Sequence, residues 1–112
     1  MITNILVFAV AAIFEIAGCF AFWWWIRRGA PAYIPVLGAA SLVAFAVTLT
    51  RIDSGFAGRA YAAYGGIYIA ASLVWLWLME GQRPRPTDFI GAGIAIVGAL
   101  VIISYAAKDQ GP

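Results

Sequence analysis

A single carboxyl group lies in the middle of the first apolar stretch of this chain. Glu15 is the only charged residue between Ile2 and Ile26, and a stretch of that length is predicted to cross a bilayer as a helix. A charge at that depth costs about 2.5–3.5 kcal/mol on insertion scales, and groups retained at this cost usually bind protons or cations. Glu15 is therefore the first candidate site. The alternative is a structural carboxyl group that locks a helix interface.

Small and aromatic residues accompany Glu15 at helical spacing. A helix would place on one face Phe8, Ala11, Ala12, Glu15, Gly18, Cys19 and Phe22. Small side chains allow another helix or a ligand to come close, and burial disfavours the charged form of a carboxyl group. We expect Gly18 to belong to a proton and substrate site centred on Glu15.

The third apolar stretch has an aromatic face. Its members at helical spacing are Tyr61, Tyr64, Gly65, Tyr68, Ser72 and Trp75. Aromatic rings offer cation–π contacts worth about 2 kcal/mol when desolvated, and phenol groups can donate hydrogen bonds to a carboxylate. Tyr61, Tyr64, Tyr68, Ser72 and Trp75 are therefore predicted to line the binding pocket. Ordinary helix packing is the alternative.

The fourth apolar stretch has a stripe of small residues at Gly91, Ala95 and Gly98. Such stripes let membrane helices approach closely and associate. We predict that these three residues form a dimer interface.

Four apolar stretches are long enough to span a hydrocarbon core, which takes about 20 helical residues. They cover residues 2–26, 31–50, 60–79 and 89–107. The chain has 112 residues, of which 64% are hydrophobic and 11% charged, whereas soluble domains carry about 25% charge. The sequence predicts an all-α membrane protein with a single four-helix domain over residues 1–112.

Composition argues against several classes of function. The sequence has no histidine and one cysteine, Cys19, so one chain can build no disulfide, zinc site or Cys/His nucleophile. It has no Gly-rich phosphate loop or paired carboxylates, and we expect neither an enzyme nor a cofactor or metal. The basic residues lie near helix ends, which indicates contact with the lipid bilayer surface rather than with nucleic acid. Glu80 and Asp88 are interpreted as solvated ion pairs with Arg83 and Arg85.

Charge gives little information on orientation. The first and third loops contain Arg27, Arg28, Arg83 and Arg85, and the opposite side has Arg51, Arg59 and Lys108. Because orientation follows the Lys/Arg bias, a difference of one positive charge predicts dual topology or an additional orienting factor. The clusters Trp23–Trp25 and Trp75/Trp77 are expected at one membrane interface, which tryptophan prefers.

Several motifs together resemble the small multidrug resistance (SMR) transporters. Glu15-Ile-Ala-Gly18 is similar to the family's E-x-x-G motif, residues 60–66 (AYAAYGG) to its A-Y-A-x-W-x-G motif, and Gly81-Gln82-Arg83 to its G-Q-R turn. Gly91 and Gly98 have the family's seven-residue glycine spacing. The tryptophan-rich end of the first stretch and residues 85–91 (RPTDFIG) resemble more closely the YnfA family of small bacterial inner-membrane proteins, which is grouped with the SMR-like fold.

The resemblance implies an antiparallel homodimer in which two Glu15 carboxyl groups share one central site. It departs from the multidrug pumps at two positions, because Tyr64 replaces a pocket tryptophan and Ser41 replaces a tyrosine of the second helix. Both changes reduce the aromatic area and the expected preference for large aromatic cations.

The resulting hypothesis is a proton-coupled efflux protein of the bacterial inner membrane. It would exchange protons for small hydrophobic or amine-type cations at Glu15. Two alternatives remain open: an ion channel with Glu15 as a pore charge, and a non-transporting membrane protein in which Glu15 forms an ion pair with a partner.

Overall fold

The computed structural model describes residues 2–52 and 54–106, which form four helices. They are α1 (Ile2–Arg28), α2 (Tyr33–Leu49), α3 (Ala57–Leu78) and α4 (Pro86–Ala106). The described residues contain no strand, so the predicted all-α, four-helix class is confirmed.

Three helix ends extend beyond the predicted spans for local reasons. Helix α1 continues through Arg27 and Arg28, whose positive charges interact favourably with the negative end of the helix dipole. Helix α3 starts at Ala57 rather than at residue 60, directly after the extended residue Phe56. Helix α4 starts at Pro86 rather than at residue 89, because proline is tolerated in a first turn, where its missing N–H has no helical partner. The predicted end of this helix, residue 107, and Lys108 lie outside the described residues.

The helices differ in how well their lengths match a bilayer. Helices α1, α3 and α4 are long and apolar enough to cross a membrane, whereas α2 is a shorter apolar helix of 17 residues. At 1.5 Å per residue α2 is about 25 Å long, and it is shorter than the predicted span over residues 31–50. The chain has the helices of a multi-pass membrane protein.

Glycines allow close contact within each sequential helix pair. Helix α1 packs on α2, α3 on α4, and α1 on α3. A Cβ atom at Gly18 would lie 2.9 Å from the carbonyl oxygen of Gly38, and one at Gly66 would lie 2.5 Å from that of Ala95. Helices α1 and α3 end in the same way, at Gly29 and Gly81, which both have φ +71°. In each case the backbone N–H of the next residue donates a hydrogen bond to a carbonyl oxygen in the last turns of the helix.

The tightly packed core lies toward one end of the molecule. Its members come from the first half of α1, the first half of α3, the ends of α2 and α4, and the α2–α3 loop: Phe8, Ala11, Ala12, Leu49, Ile52, Ala60, Ala63, Tyr64 and Ile103. The Cα trace measures 52 × 34 × 19 Å with a radius of gyration of 15.3 Å, against about 13 Å for a compact domain of this length. The protomer is therefore a flat layer of helices that is less compact at the opposite end.

Candidate functional site

Glu15 is the central residue of the 27-residue helix α1 and is half-buried. Its Oε1 atom accepts a hydrogen bond of 2.7 Å from the hydroxyl group of Tyr64 on α3. Side chains in a helix lean toward its N-terminus, and this direction brings the carboxyl group toward the packed end, where Tyr64 lies. The structure thus joins the two residues that hydropathy and helical spacing had selected separately.

The ring of Tyr64 is held by neighbours from three helices. Its exposed fraction is 6%, and its ring centroid lies 5.7 Å from Phe8, 5.5 Å from Phe45 and 5.9 Å from Tyr68. Tilted aromatic pairs at such distances are favourable. Because the ring is fixed, its hydroxyl group is directed at Glu15 without the entropic cost of ordering a mobile side chain.

Glu15 has no positively charged partner among residues 2–52 and 54–106. The described arginines are at helix ends or in loops, and the contact that the structure gives Arg27 is with Trp23. A phenol hydroxyl group stabilises a carboxylate but does not neutralise it. Within the described residues, the carboxyl group therefore remains available to a ligand.

Gly18 and Ser41 attach α2 to α1 beside Glu15. Gly18 is buried against α2, and a Cβ there would lie 2.7 Å from Leu42, so its local role is helix packing rather than contact with the carboxyl group. The Ser41 hydroxyl group donates a 2.7 Å hydrogen bond to the carbonyl oxygen of Phe14, the residue before Glu15. In the sequence Ser41 stands out only where the resembled family has a tyrosine. The signal for its role is a hydroxyl group in the apolar middle of α2.

The remaining residues of the predicted aromatic face have different environments. Tyr61 is 57% exposed, and the Ser72 hydroxyl group bonds to the carbonyl oxygen of Tyr68 within α3. Trp75 packs on Phe20 with ring centroids 5.4 Å apart, and its indole nitrogen is buried without a hydrogen-bond partner in the described structure. Of the predicted pocket residues, Tyr64 alone contacts Glu15 by a hydrogen bond.

A groove separates the second halves of α1 and α3. Its volume is about 290 Å³, and its lining consists of Ile16, Cys19, Phe20, Trp23, Tyr68, Trp75 and Glu80. Its inner end begins at Ile16 and Tyr68, next to the Glu15–Tyr64 pair, and its outer end reaches the loop after α3. The sequence predicts Glu80 in a solvated ion pair rather than in a groove, because a loop carboxylate shows no periodicity that would link it to a helix face.

The small-residue stripe of α4 is divided between two surfaces. Gly91 and Gly98 are exposed, with nothing within 4 Å of a Cβ atom at either position, whereas the carbonyl oxygen of Ala95 contacts Gly66 of α3. Ala95 therefore serves the α3–α4 contact within the protomer. Gly91 and Gly98 remain free for the predicted dimer contact.

Comparison with known proteins gives the family. The family described as "Uncharacterised BCR, YnfA/UPF0060 family" matches residues 1–109. The chain belongs to the YnfA/UPF0060 family. It is 54% identical to a UPF0060 membrane protein of Ectopseudomonas mendocina over 101 residues, which cover 90% of this chain and 92% of the relative. A UPF0060 membrane protein of Pseudomonas syringae is 51% identical over 89% of this chain and 91% of its own. No solved structure matches the chain.

The relatives' names agree with the helices in describing a membrane protein, so this member of the YnfA/UPF0060 family is a multi-pass membrane protein. Its central site combines a carboxyl group, a fixed phenol donor and an adjoining aromatic groove. This combination can bind a proton or an organic cation, and the described residues contain no group of His, Cys, Asp and Glu that could hold a metal ion.

Proposed function

We propose that this protein exchanges protons for small hydrophobic or amine-type cations across the membrane, with Glu15 as the group that binds both. The observation that carries the proposal is the hydrogen bond from Tyr64 to Glu15 in the centre of α1. The hydroxyl group holds the carboxyl group in position for a cation, and the same carboxyl group can bind a proton when no cation is present. Such a site can alternate between the two ligands.

The proposed working unit is an antiparallel homodimer. A flat four-helix layer leaves the α1–α3 groove open along its side, and a second copy would close it. The exposed faces of Gly91 and Gly98 support helix association, and the small Lys/Arg bias favours insertion in both orientations. Two Glu15 carboxyl groups would then share one central site.

Proton release on cation addition tests the proposal directly. Purified protein in weakly buffered detergent solution should release protons when benzyltrimethylammonium or a related amine is added, because cation and proton compete for the same carboxyl groups. Glu15→Gln should release none, since the amide keeps the size of the side chain but cannot ionise. Asp88→Asn removes a carboxyl group at the start of α4 and should leave the release unchanged.

The outcome separates the alternatives. Normal proton release from Glu15→Gln would refute the proposal. Flux through liposomes that rises linearly with cation concentration, without saturation, would favour an ion channel. The absence of both release and flux in the purified protein would favour a non-transporting protein that needs a partner.

A further inference from the structure

The outer end of the α1–α3 groove has a carboxylate in an unusual position. Glu80 lines this groove and follows the C-terminus of α3. A helix C-terminus carries partial negative charge, so an acidic residue there is electrostatically unfavourable. The expected ion pairs do not form in the described part of the chain: Asp88 accepts a hydrogen bond from the backbone N–H of Arg85, and Glu80 has no basic partner there.

The walls near Glu80 are aromatic and suit an organic cation. The guanidinium carbon of Arg27 lies 4.5 Å from the centroid of the Trp23 ring, so this ring already binds a positive group of the same chain at the outer end. Trp75 lies deeper, with its buried indole N–H unpartnered in the described structure. The carboxylate, the helix terminus and the Trp23 ring all favour positive charge at this level.

We propose that Glu80, together with Trp23 and Trp75, forms an outer binding site for the amine-type cation, which the cation occupies before or after Glu15. This inference rests on the proposed function for the identity of the ligand. From Tyr68 to the end of α3 at Leu78 the groove follows ten helical steps, or about 15 Å. Glu80 lies just beyond this end, so the two carboxyl groups bind the cation at separate positions along one path. Arg27 competes with the incoming cation for the Trp23 ring.

The only cysteine of the chain provides a test, because Cys19 is exposed and lines the same groove. Its reaction rate with a trimethylammonium methanethiosulfonate, divided by its rate with a neutral methanethiosulfonate of similar size, reports the local preference for cations. Both reagents need the thiolate, so the ratio cancels changes in thiol reactivity. The protein should carry Glu15→Gln, so that the central carboxylate does not contribute.

In this background Glu80→Gln should lower the rate ratio about fivefold at low ionic strength, which is the largest effect expected from one partly exposed charge. In high salt the difference between the two proteins should shrink. Moving the charge, with Glu80→Gln and Gln82→Glu combined, should not restore the ratio. Arg27→Gln should raise it. An unchanged neutral-reagent rate verifies that each variant is folded.

Three results would overturn the outer site. They are an equal ratio with and without Glu80, full restoration by the relocated charge, and failure of Cys19 to react with either reagent, which would mean that the groove is closed. A failure of the proposed function can be distinguished from a failure of the outer site. It would appear as proton release that persists in Glu15→Gln, and the rate ratio at Cys19 would still depend on Glu80.

Discussion

Replacement of Tyr64 by phenylalanine isolates the hydrogen bond to Glu15. The Tyr64→Phe ring can keep its contacts with Phe8, Phe45 and Tyr68, and only the 2.7 Å bond to Glu15 is lost. A hydrogen bond to a charged group contributes about 1.5–3 kcal/mol and one between neutral groups about 0.5–1.5 kcal/mol. The bond that holds the carboxylate in position for a cation is therefore stronger than a bond between neutral groups by about 1–1.5 kcal/mol. Its loss should weaken cation binding by up to about tenfold.

The direction of the effect follows from the geometry of the pair. Without the hydroxyl group the carboxyl group is no longer held by Tyr64, so the dissociation constant for benzyltrimethylammonium should rise by up to about tenfold. Equilibrium dialysis of benzyltrimethylammonium at one fixed pH measures this change.

Tyr61→Phe is the matched control, since Tyr61 is 57% exposed and is separated from Glu15 by its position on α3. Its cation affinity should equal that of the parent. Parent affinity in Tyr64→Phe would refute a role for the hydroxyl group at Glu15. An equal loss of affinity in Tyr61→Phe would show that the effect is not specific to the hydrogen bond.

Two further predictions concern packing and topology. Gly66→Ala should destabilise the protein by about 1–3 kcal/mol in detergent unfolding, because the added Cβ atom would lie 2.5 Å from the Ala95 carbonyl oxygen. A Cβ atom at Gly65 would have nothing within 4 Å, so Gly65→Ala should be neutral or stabilising. Equal effects of the two substitutions would contradict the observed α3–α4 contact. Two lysines added to the first loop should force one orientation and impair transport unless a variant with the opposite charge bias is co-expressed. The orientation is measured in a Cys19→Ala background by labelling a cysteine added at the C-terminus from each side of the membrane. Labelling of the parent from one side only would exclude dual topology.

Hydropathy and helical period predict much of this fold because a membrane imposes simple rules. A charge inside an apolar stretch is visible without any alignment, and Tyr64 could be selected because tyrosines recur at helical spacing. The resemblance to the YnfA family is confirmed by comparison with known proteins. Helix ends were predicted less accurately, since Arg27 and Arg28 look like loop residues until their effect on the helix dipole is considered.

Tertiary partners were not predictable from one sequence. The position of Gly18 on α1 fits the face of Glu15, yet its neighbour is α2, and nothing local in the sequence gives the orientation of α2. The hydrogen bond from Ser41 to Phe14 joins residues 27 positions apart. Ala95 and Gly98 look equivalent in the small-residue stripe of the sequence. In the structure Ala95 packs against α3, whereas Gly98 is exposed.

The gradient of side-chain size along α1 and α3 explains why the protomer is closed at one end and open at the other. The first halves of these helices meet through alanines, with Ala11, Ala12 and Ala63 fully buried, so the backbones can approach closely there. In the second halves the contact passes through large rings, Phe20 against Trp75, which hold the helices apart and leave the groove. Glu15 and Tyr64 lie where the close packing gives way to this groove. At that position the carboxyl group is held by packed neighbours on one side and is half-buried beside the groove on the other, which is the arrangement that the proposed exchange of a proton for a cation needs.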